Sequence, residues 1–118
     1  MFSGQYPTGV IDWGTNSWYL AEPWGQFSTK SISFNGASMT NALFTFLNPK
    51  KLVKIDAFNG GTVTSTVTLS CTGNPNRVVS VSVDTILTID TGWMTACDQV
   101  TISSTNGWGT NFDNLVIE

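Results

Sequence analysis

The chain has 118 residues, of which 11% are charged, with a net charge of -3 and no histidine. A chain of this length buries about two-thirds of its unfolded surface in one core, so we expect a single, monomeric domain over residues 1–118. Five basic residues are too few to neutralise the phosphates along a nucleic-acid strand, which argues against a nucleic-acid partner. No apolar run approaches the roughly 20 residues of a membrane span, so we expect no membrane partner. No signal pattern follows Met1, which suggests a mature module excised from a larger secreted protein.

The first 29 residues mix turn-forming residues with large aromatic ones. Asp12–Tyr19 has the sequence DWGTNSWY, and Glu22–Gly25 has the sequence EPWG. This composition predicts either one long ordered loop or two short strands with connecting loops. Because a long loop in a compact domain is usually functional, we expect part of a binding site here.

From residue 30 onward, short runs of alternating polarity are separated by turn signals, and no stretch keeps a helical period. This pattern predicts an all-β chain. Turn signals at Asn59–Gly61 and Gly73–Asn76 each separate two strands. The predicted strands are Lys30–Phe34, Ala42–Leu47, Leu52–Phe58, Thr62–Cys71, Arg77–Val83, Ile86–Ile89, Asp98–Ser103 and Phe112–Ile117.

The run Thr62–Cys71 shows the clearest alternation, with threonine and serine on one face. Its other face carries Val63, Ser65, Val67, Leu69 and Cys71. The next run repeats the pattern with Val79, Val81 and Val83. One face therefore meets a core and the other meets water. About eight such strands predict an antiparallel β-sandwich of jelly-roll type, with an immunoglobulin-like sandwich as the alternative.

The five tryptophans lie outside the predicted strands, in stretches rich in Gly, Asn, Thr and Pro. An indole in a loop either packs over a sheet end or faces a ligand. A flat apolar ring with a polar N–H suits a sugar, whose C–H groups stack on the ring while its hydroxyls bond at the rim. The best platform candidates are Trp18, Tyr19 and Trp24. Trp93 and Trp108 extend the platform if their loops gather at the same edge.

The other aromatic residues have a structural interpretation as well. Trp13 closely follows Val10 and Ile11, so it either covers one end of the sandwich or joins the platform. The phenylalanines within strands are predicted to be core residues: Phe34, Phe44, Phe46, Phe58 and Phe112.

Cys71 and Cys97 are the only cysteines, too few and too far apart for a structural zinc set. We predict that they form a disulfide, either between neighbouring strands or across the sandwich. The alternative is two buried free thiols.

The chain closes on Asn111–Ile117, with the sequence NFDNLVI. With its aromatic and acidic opening segment and its Thr- and Val-rich strands, it resembles β-sandwich carbohydrate-binding modules with a galactose-binding-like jelly roll. In such modules the Asp of the closing strand commonly helps hold a structural calcium near the N-terminus. The resemblance implies this role for Asp113.

The strand pattern suggests the same role for Asp113. It has the parity of Leu115 and Ile117, so its carboxylate is expected on the core side, where an unpaired charge is costly. A bound Ca²⁺ completed by backbone carbonyls and a second carboxylate would satisfy it, with Asp12 as first choice and Glu22 as second. Alternatively, Asp113 caps a turn by accepting backbone N–H bonds.

These observations predict a non-catalytic module that binds polysaccharide and targets an attached secreted enzyme. The chain lacks a histidine for general-base chemistry and a phosphate-binding loop, and Asp12 and Glu22 are only a weak candidate pair for glycoside hydrolysis. The alternative is a secreted or cell-surface adhesion or structural sandwich that binds a protein through an aromatic patch.

Overall fold

The computed structural model describes residues 2–23 and 25–118, which form ten strands and one short 3-10 helix, Gly107–Gly109. In chain order the strands are β1 (Ile11–Asp12), β2 (Trp18–Ala21), β3 (Ser31–Phe34), β4 (Asn41–Lys50), β5 (Leu52–Asn59), β6 (Ser65–Cys71), β7 (Arg77–Val81), β8 (Thr85–Asp90), β9 (Cys97–Ser104) and β10 (Thr110–Ile117). Within these ranges, no helix is both long and apolar enough to cross a membrane.

The strands form two open antiparallel sheets of five strands each. Sheet I has the order β1-β4-β9-β6-β7, and sheet II has the order β2-β3-β10-β5-β8. The predicted antiparallel β-sandwich is confirmed, and its two-sheet arrangement is compatible with a jelly roll. The expected number of about eight strands was too low, because the N-terminal segment forms two short strands, β1 and β2, which was one of the two arrangements predicted for it. These strands have two and four residues, too few to show an alternation in the sequence.

The core lies between the sheets and follows the predicted alternation. In β6, Ser65, Val67, Leu69 and Cys71 are buried, whereas Val63 lies before the strand and is exposed. Val81 is buried at the end of β7, but Val83 lies beyond that strand and is also exposed. The inward positions predicted for Val63 and Val83 were therefore wrong, because both strands are shorter than their apolar runs.

Four of the five strand phenylalanines belong to the central core: Phe34, Phe44, Phe46 and Phe112. Phe58 is buried but lies on the outer face of sheet II, because its neighbour Ala57 faces the core. Phe27 covers it, with ring centroids 5.9 Å apart. The backbone at Gly25 also passes so close to this ring that a Cβ there would overlap it.

The Cys71–Cys97 disulfide is confirmed. It joins the end of β6 to the start of β9, with the two Cα atoms 6.1 Å apart. Because β6 and β9 are neighbours in sheet I, the bond links adjacent strands rather than crossing the sandwich. The loops beside it are also tied together, since Asn74 exchanges hydrogen bonds of 2.8 and 3.1 Å with the backbone of Thr95.

Candidate functional site

Trp18 is completely buried and cannot serve as a platform for a ligand. It begins β2 and points between the sheets, with its ring centroid 5.6 Å from that of Phe34. Its indole Nε1 donates a 2.8 Å hydrogen bond to the backbone carbonyl of Leu43. The proposed exposed role for Trp18 was wrong because the residue is part of a strand, although its neighbours in sequence resemble a loop.

Trp93 and Trp13 are also buried, which excludes Trp93 from the expected platform. Trp93 donates a 2.7 Å hydrogen bond from Nε1 to the carbonyl of Pro75 and belongs to the hydrophobic core. Trp13 lies 4.8 Å from Phe44 between ring centroids, so of its two interpretations the structural one holds. Trp24 lies outside the described residues.

Among the described platform residues, Tyr19 and Trp108 are the two that are exposed, with relative residue exposures of 47% and 52%. Tyr19 follows Trp18 in β2 and therefore points to the opposite, outer face of sheet II. Trp108 lies in the 3-10 helix that precedes β10, which belongs to the same sheet. Both line one open groove of about 540 Å³, called here the aromatic groove. Its other lining residues are Ala21, Ser33, Gly60, Gly109 and Asn111.

The polar residues of the aromatic groove lie on neighbouring strands. Ser33 of β3 is directly opposite Tyr19 of β2, and Phe112 of β10 pairs with Ile32, which places Asn111 opposite Ser33. Asn111 donates a 2.8 Å hydrogen bond from Nδ2 to the hydroxyl of Ser31, which fixes the orientation of its amide. The groove therefore combines two rings with a hydroxyl and an amide.

Trp108 is positioned by a buried polar network beneath its helix. Asn106 Oδ1 accepts hydrogen bonds from Ser104 (2.8 Å) and Thr110 (2.6 Å), and its Nδ2 donates to Asn59 Oδ1 (2.8 Å). The hydroxyl of Ser65 joins the network at 2.8 Å from those of Ser104 and Thr110. These bonds connect both sheets to the turn that carries Trp108. The backbone that holds the indole ring is therefore fixed before a ligand binds.

The glycine at position 107 is required by the same turn. Its φ is +59°, and a Cβ there would lie 2.9 Å from the carbonyl oxygen of Met39. Two residues later, the carbonyl of Gly109 accepts a 2.9 Å hydrogen bond from the N–H of Gly60. In the sequence, this arrangement has a single signal, the serine at position 65 on the apolar face of β6.

None of the described residues that line the aromatic groove carries a charge. Its side-chain donors and acceptors are those of the exposed Tyr19 and Trp108, together with the almost fully buried Ser33 and Asn111. Such a groove matches the hydroxyls of a neutral ligand and offers no cation to pair with a carboxylate, sulfate or phosphate.

The expected calcium site combines Asp113 with Asp12 or Glu22, and each of these carboxylates has a partner within the protein. Asp12 Oδ1 accepts a 2.8 Å hydrogen bond from the backbone N–H of Gly14, and Glu22 forms an exposed ion pair with Lys30 at 3.7 Å. Asp113 accepts a hydrogen bond from the hydroxyl of Thr29. Within residues 2–23 and 25–118, no three acidic, His or Cys side chains form a group that could hold a metal ion. A site made of Asp113, one further carboxylate and backbone carbonyls stays a prediction.

Asp113 also has a different orientation from the one predicted. Asp113 pairs with Asp56 and Val116 with Lys54, so β10 contains one residue more than β5 over this interval. This bulge is centred on Asn114, whose φ is +54°. Phe112 and Leu115 therefore both face the core, and Asp113 lies on the outer face. The turn-capping role that was the alternative for Asp113 is found at Asp12, whose carboxylate accepts the backbone N–H of Gly14.

Comparison of the chain with protein-family models, with curated proteins and with solved structures gave no match. The functional argument therefore rests on the geometry of the aromatic groove.

Proposed function

We propose that the protein is a non-catalytic carbohydrate-binding module that binds a neutral polysaccharide in the aromatic groove. The observation that carries this proposal is that two exposed aromatic residues, Tyr19 and Trp108, converge on one open groove. Ser33 and Asn111, on neighbouring strands of sheet II, line the same groove. No other predicted platform residue among the described ones is exposed.

The physical chemistry of the aromatic groove suits a sugar. The C–H groups of a pyranose stack on the faces of Tyr19 and Trp108, while its hydroxyls bond to the serine hydroxyl, the asparagine amide and the ring N–H and O–H groups. Rings held on a sheet and on a fixed turn lose little conformational entropy when they bind. The open groove accommodates a chain that continues beyond both rings.

The biological role that follows from this proposal is targeting. Binding to polysaccharide would hold an attached secreted enzyme near its substrate, and this module itself would break no bond. The disulfide supports an extracellular location, because such bonds persist mainly in oxidising compartments.

Affinity electrophoresis over a panel of neutral soluble polysaccharides, with pull-downs on insoluble ones, tests the proposal. We expect retardation by at least one neutral glycan, and we expect Trp108→Ala and Tyr19→Ala each to weaken it by about 30-fold, since truncation of a dominant contact costs about 2 kcal/mol. Tyr6→Ala is the matched control, because Tyr6 is an exposed ring outside the aromatic groove.

Two outcomes would overturn the proposal. One is a folded protein that binds none of the glycans in the panel, which would favour the protein-binding alternative. The other is retardation that persists unchanged in both groove variants, which would place the sugar elsewhere.

A further inference from the structure

A second and larger cavity, of about 740 Å³, is lined by residues of the N-terminal segment, β2, β3 and β10, including Asp113 from the outer face of sheet II. We call it the inter-sheet cleft. Within residues 2–23 and 25–118 it shares no lining residue with the aromatic groove, and its volume is within the range of small-molecule sites, about 300–1,000 Å³.

One wall of the inter-sheet cleft is aromatic and firmly held. The ring of Phe2 lies 5.1 Å from that of Trp13 and 6.1 Å from that of Tyr6, measured between centroids. Trp13 donates a 2.6 Å hydrogen bond from Nε1 to the carbonyl of Tyr6, which fixes the wall to the start of β1. This wall is formed before any ligand arrives.

The opposite wall is aliphatic and incompletely covered. It includes Leu20, Ile32, Leu115 and Ile117 of sheet II. The bulge at Asn114 turns Leu115 toward this space, although regular alternation after Phe112 would point it outward. Leu20 remains 38% exposed. An apolar ligand that covered these side chains would remove apolar surface from water, which is favourable.

The mouth of the inter-sheet cleft carries one cation and one anion. Of the described lining residues, only Lys30 and Asp113 are charged, and Thr29 lies beside them and donates a hydrogen bond to Asp113. Lys30 is also ion-paired with the exposed Glu22 at 3.7 Å. Lys30 and Asp113 offer a donor and an acceptor to the hydroxyls of a neutral polar group, whereas a carboxylate group would be disfavoured by both Asp113 and Glu22.

We infer that the inter-sheet cleft is a second binding site, for a single-chain amphiphile with an aliphatic body and a neutral, hydroxylated head. The body lies between the aromatic wall and Leu20, Ile32 and Leu115. The head remains at the mouth, where a hydroxyl donates to the Asp113 carboxylate and another accepts from Lys30.

A series of 1,2-alkanediols with six to ten carbons tests this inference, measured by calorimetry on the full chain. These probes carry a hydroxylated head and no sugar, so they do not report on the aromatic groove. We expect the affinity to rise about fourfold with each methylene, the ratio that corresponds to burial of one CH₂ group. The alkanoate of equal length should bind more weakly, since its carboxylate would meet Asp113.

Two substitutions in β10 form a matched pair for this test. Leu115→Trp fills the inter-sheet cleft and should reduce 1,2-decanediol binding at least tenfold. Val116→Trp points outward from the same strand and should leave the affinity unchanged. Leu20→Gln, at a partly exposed position of the wall, provides a second variant whose folding does not depend on accommodating a larger ring. It should weaken binding several-fold.

The inference would be overturned by an affinity that does not depend on chain length, by tighter binding of the alkanoate, or by folded Leu115→Trp and Leu20→Gln proteins that bind 1,2-decanediol like the parent. Because the groove variant Trp108→Ala should not affect diol binding, a failure here is distinguishable from a failure of the proposed polysaccharide site.

Discussion

The indole N–H of Trp18, in β2 of sheet II, donates a 2.8 Å hydrogen bond to the carbonyl of Leu43, in β4 of sheet I. This bond connects the two sheets. By fixing Trp18 inside the sandwich, it also fixes the direction of Tyr19, which must point outward because side chains alternate along a strand. The same pair of adjacent aromatics thus supplies both a core residue and one ring of the aromatic groove.

Trp18→Ala should destabilise the protein by roughly 3–5 kcal/mol, because it removes a fully buried ring and leaves the Leu43 carbonyl without its donor. Trp108→Ala, at an exposed ring, should change the free energy of unfolding by only about 0.5 kcal/mol. Urea denaturation of both variants measures these values. Equal stabilities for the two would contradict the burial of Trp18.

The buried polar network should behave as a unit. Thr110→Val removes a hydroxyl that contacts Ser65 and Asn106, and should cost about 1–3 kcal/mol of stability. Thr68→Val, on the outer face of β6, is the control and should be nearly neutral. In a double-mutant cycle, Ser65→Ala combined with Thr110→Val should cost less than the sum of the single changes. Strict additivity would show that the network is not coupled.

Loss of the disulfide should cost about 3 kcal/mol, since it closes a loop between residues separated by 26 positions. Replacing Cys71 and Cys97 together by serine and measuring urea denaturation tests this value. Thiol titration of the unfolded, unreduced parent should detect no free thiol. Detection of two would contradict the bond.

If Asp113 holds Ca²⁺, a chelator should lower the melting temperature by several degrees, because loss of a ligand that favours the native state destabilises it. Thermal denaturation in excess calcium and in excess chelator measures this difference, which should disappear in Asp113→Asn. Equal melting temperatures of the parent in the two conditions would contradict the predicted calcium site and leave Asp113 with its hydrogen bond from Thr29.

The sequence predicted the strands that show regular alternation and the cysteine pair that joins two of them. β6 is the clearest case, because every second residue from Ser65 to Cys71 is buried. β2 was predicted only as one of two possible arrangements, because its four residues follow a Gly- and Asn-rich stretch and are too few to show an alternation. For the same reason, local composition placed Trp18 in a loop.

The aromatic groove was only partly predictable. Tyr19 and Trp108 were both expected as platform residues, but the sequence could not show that they are neighbours, since the sheet order brings β2 and the start of β10 together through β3. The bulge at Asn114 was equally hidden, and it reversed the predicted orientation of Asp113. Non-local pairing and a single inserted residue leave no periodic signal.

The most direct test of the central claim is whether polysaccharide covers Trp108. Quenching of tryptophan fluorescence by iodide should be measured with and without a glycan that retards the protein, in the parent and in Trp108→Phe. The other described tryptophans are buried, so protection by the glycan should be clear in the parent and should disappear in Trp108→Phe. Protection of equal size in Trp108→Phe would show that the glycan binds at another indole and would contradict the assignment of the aromatic groove.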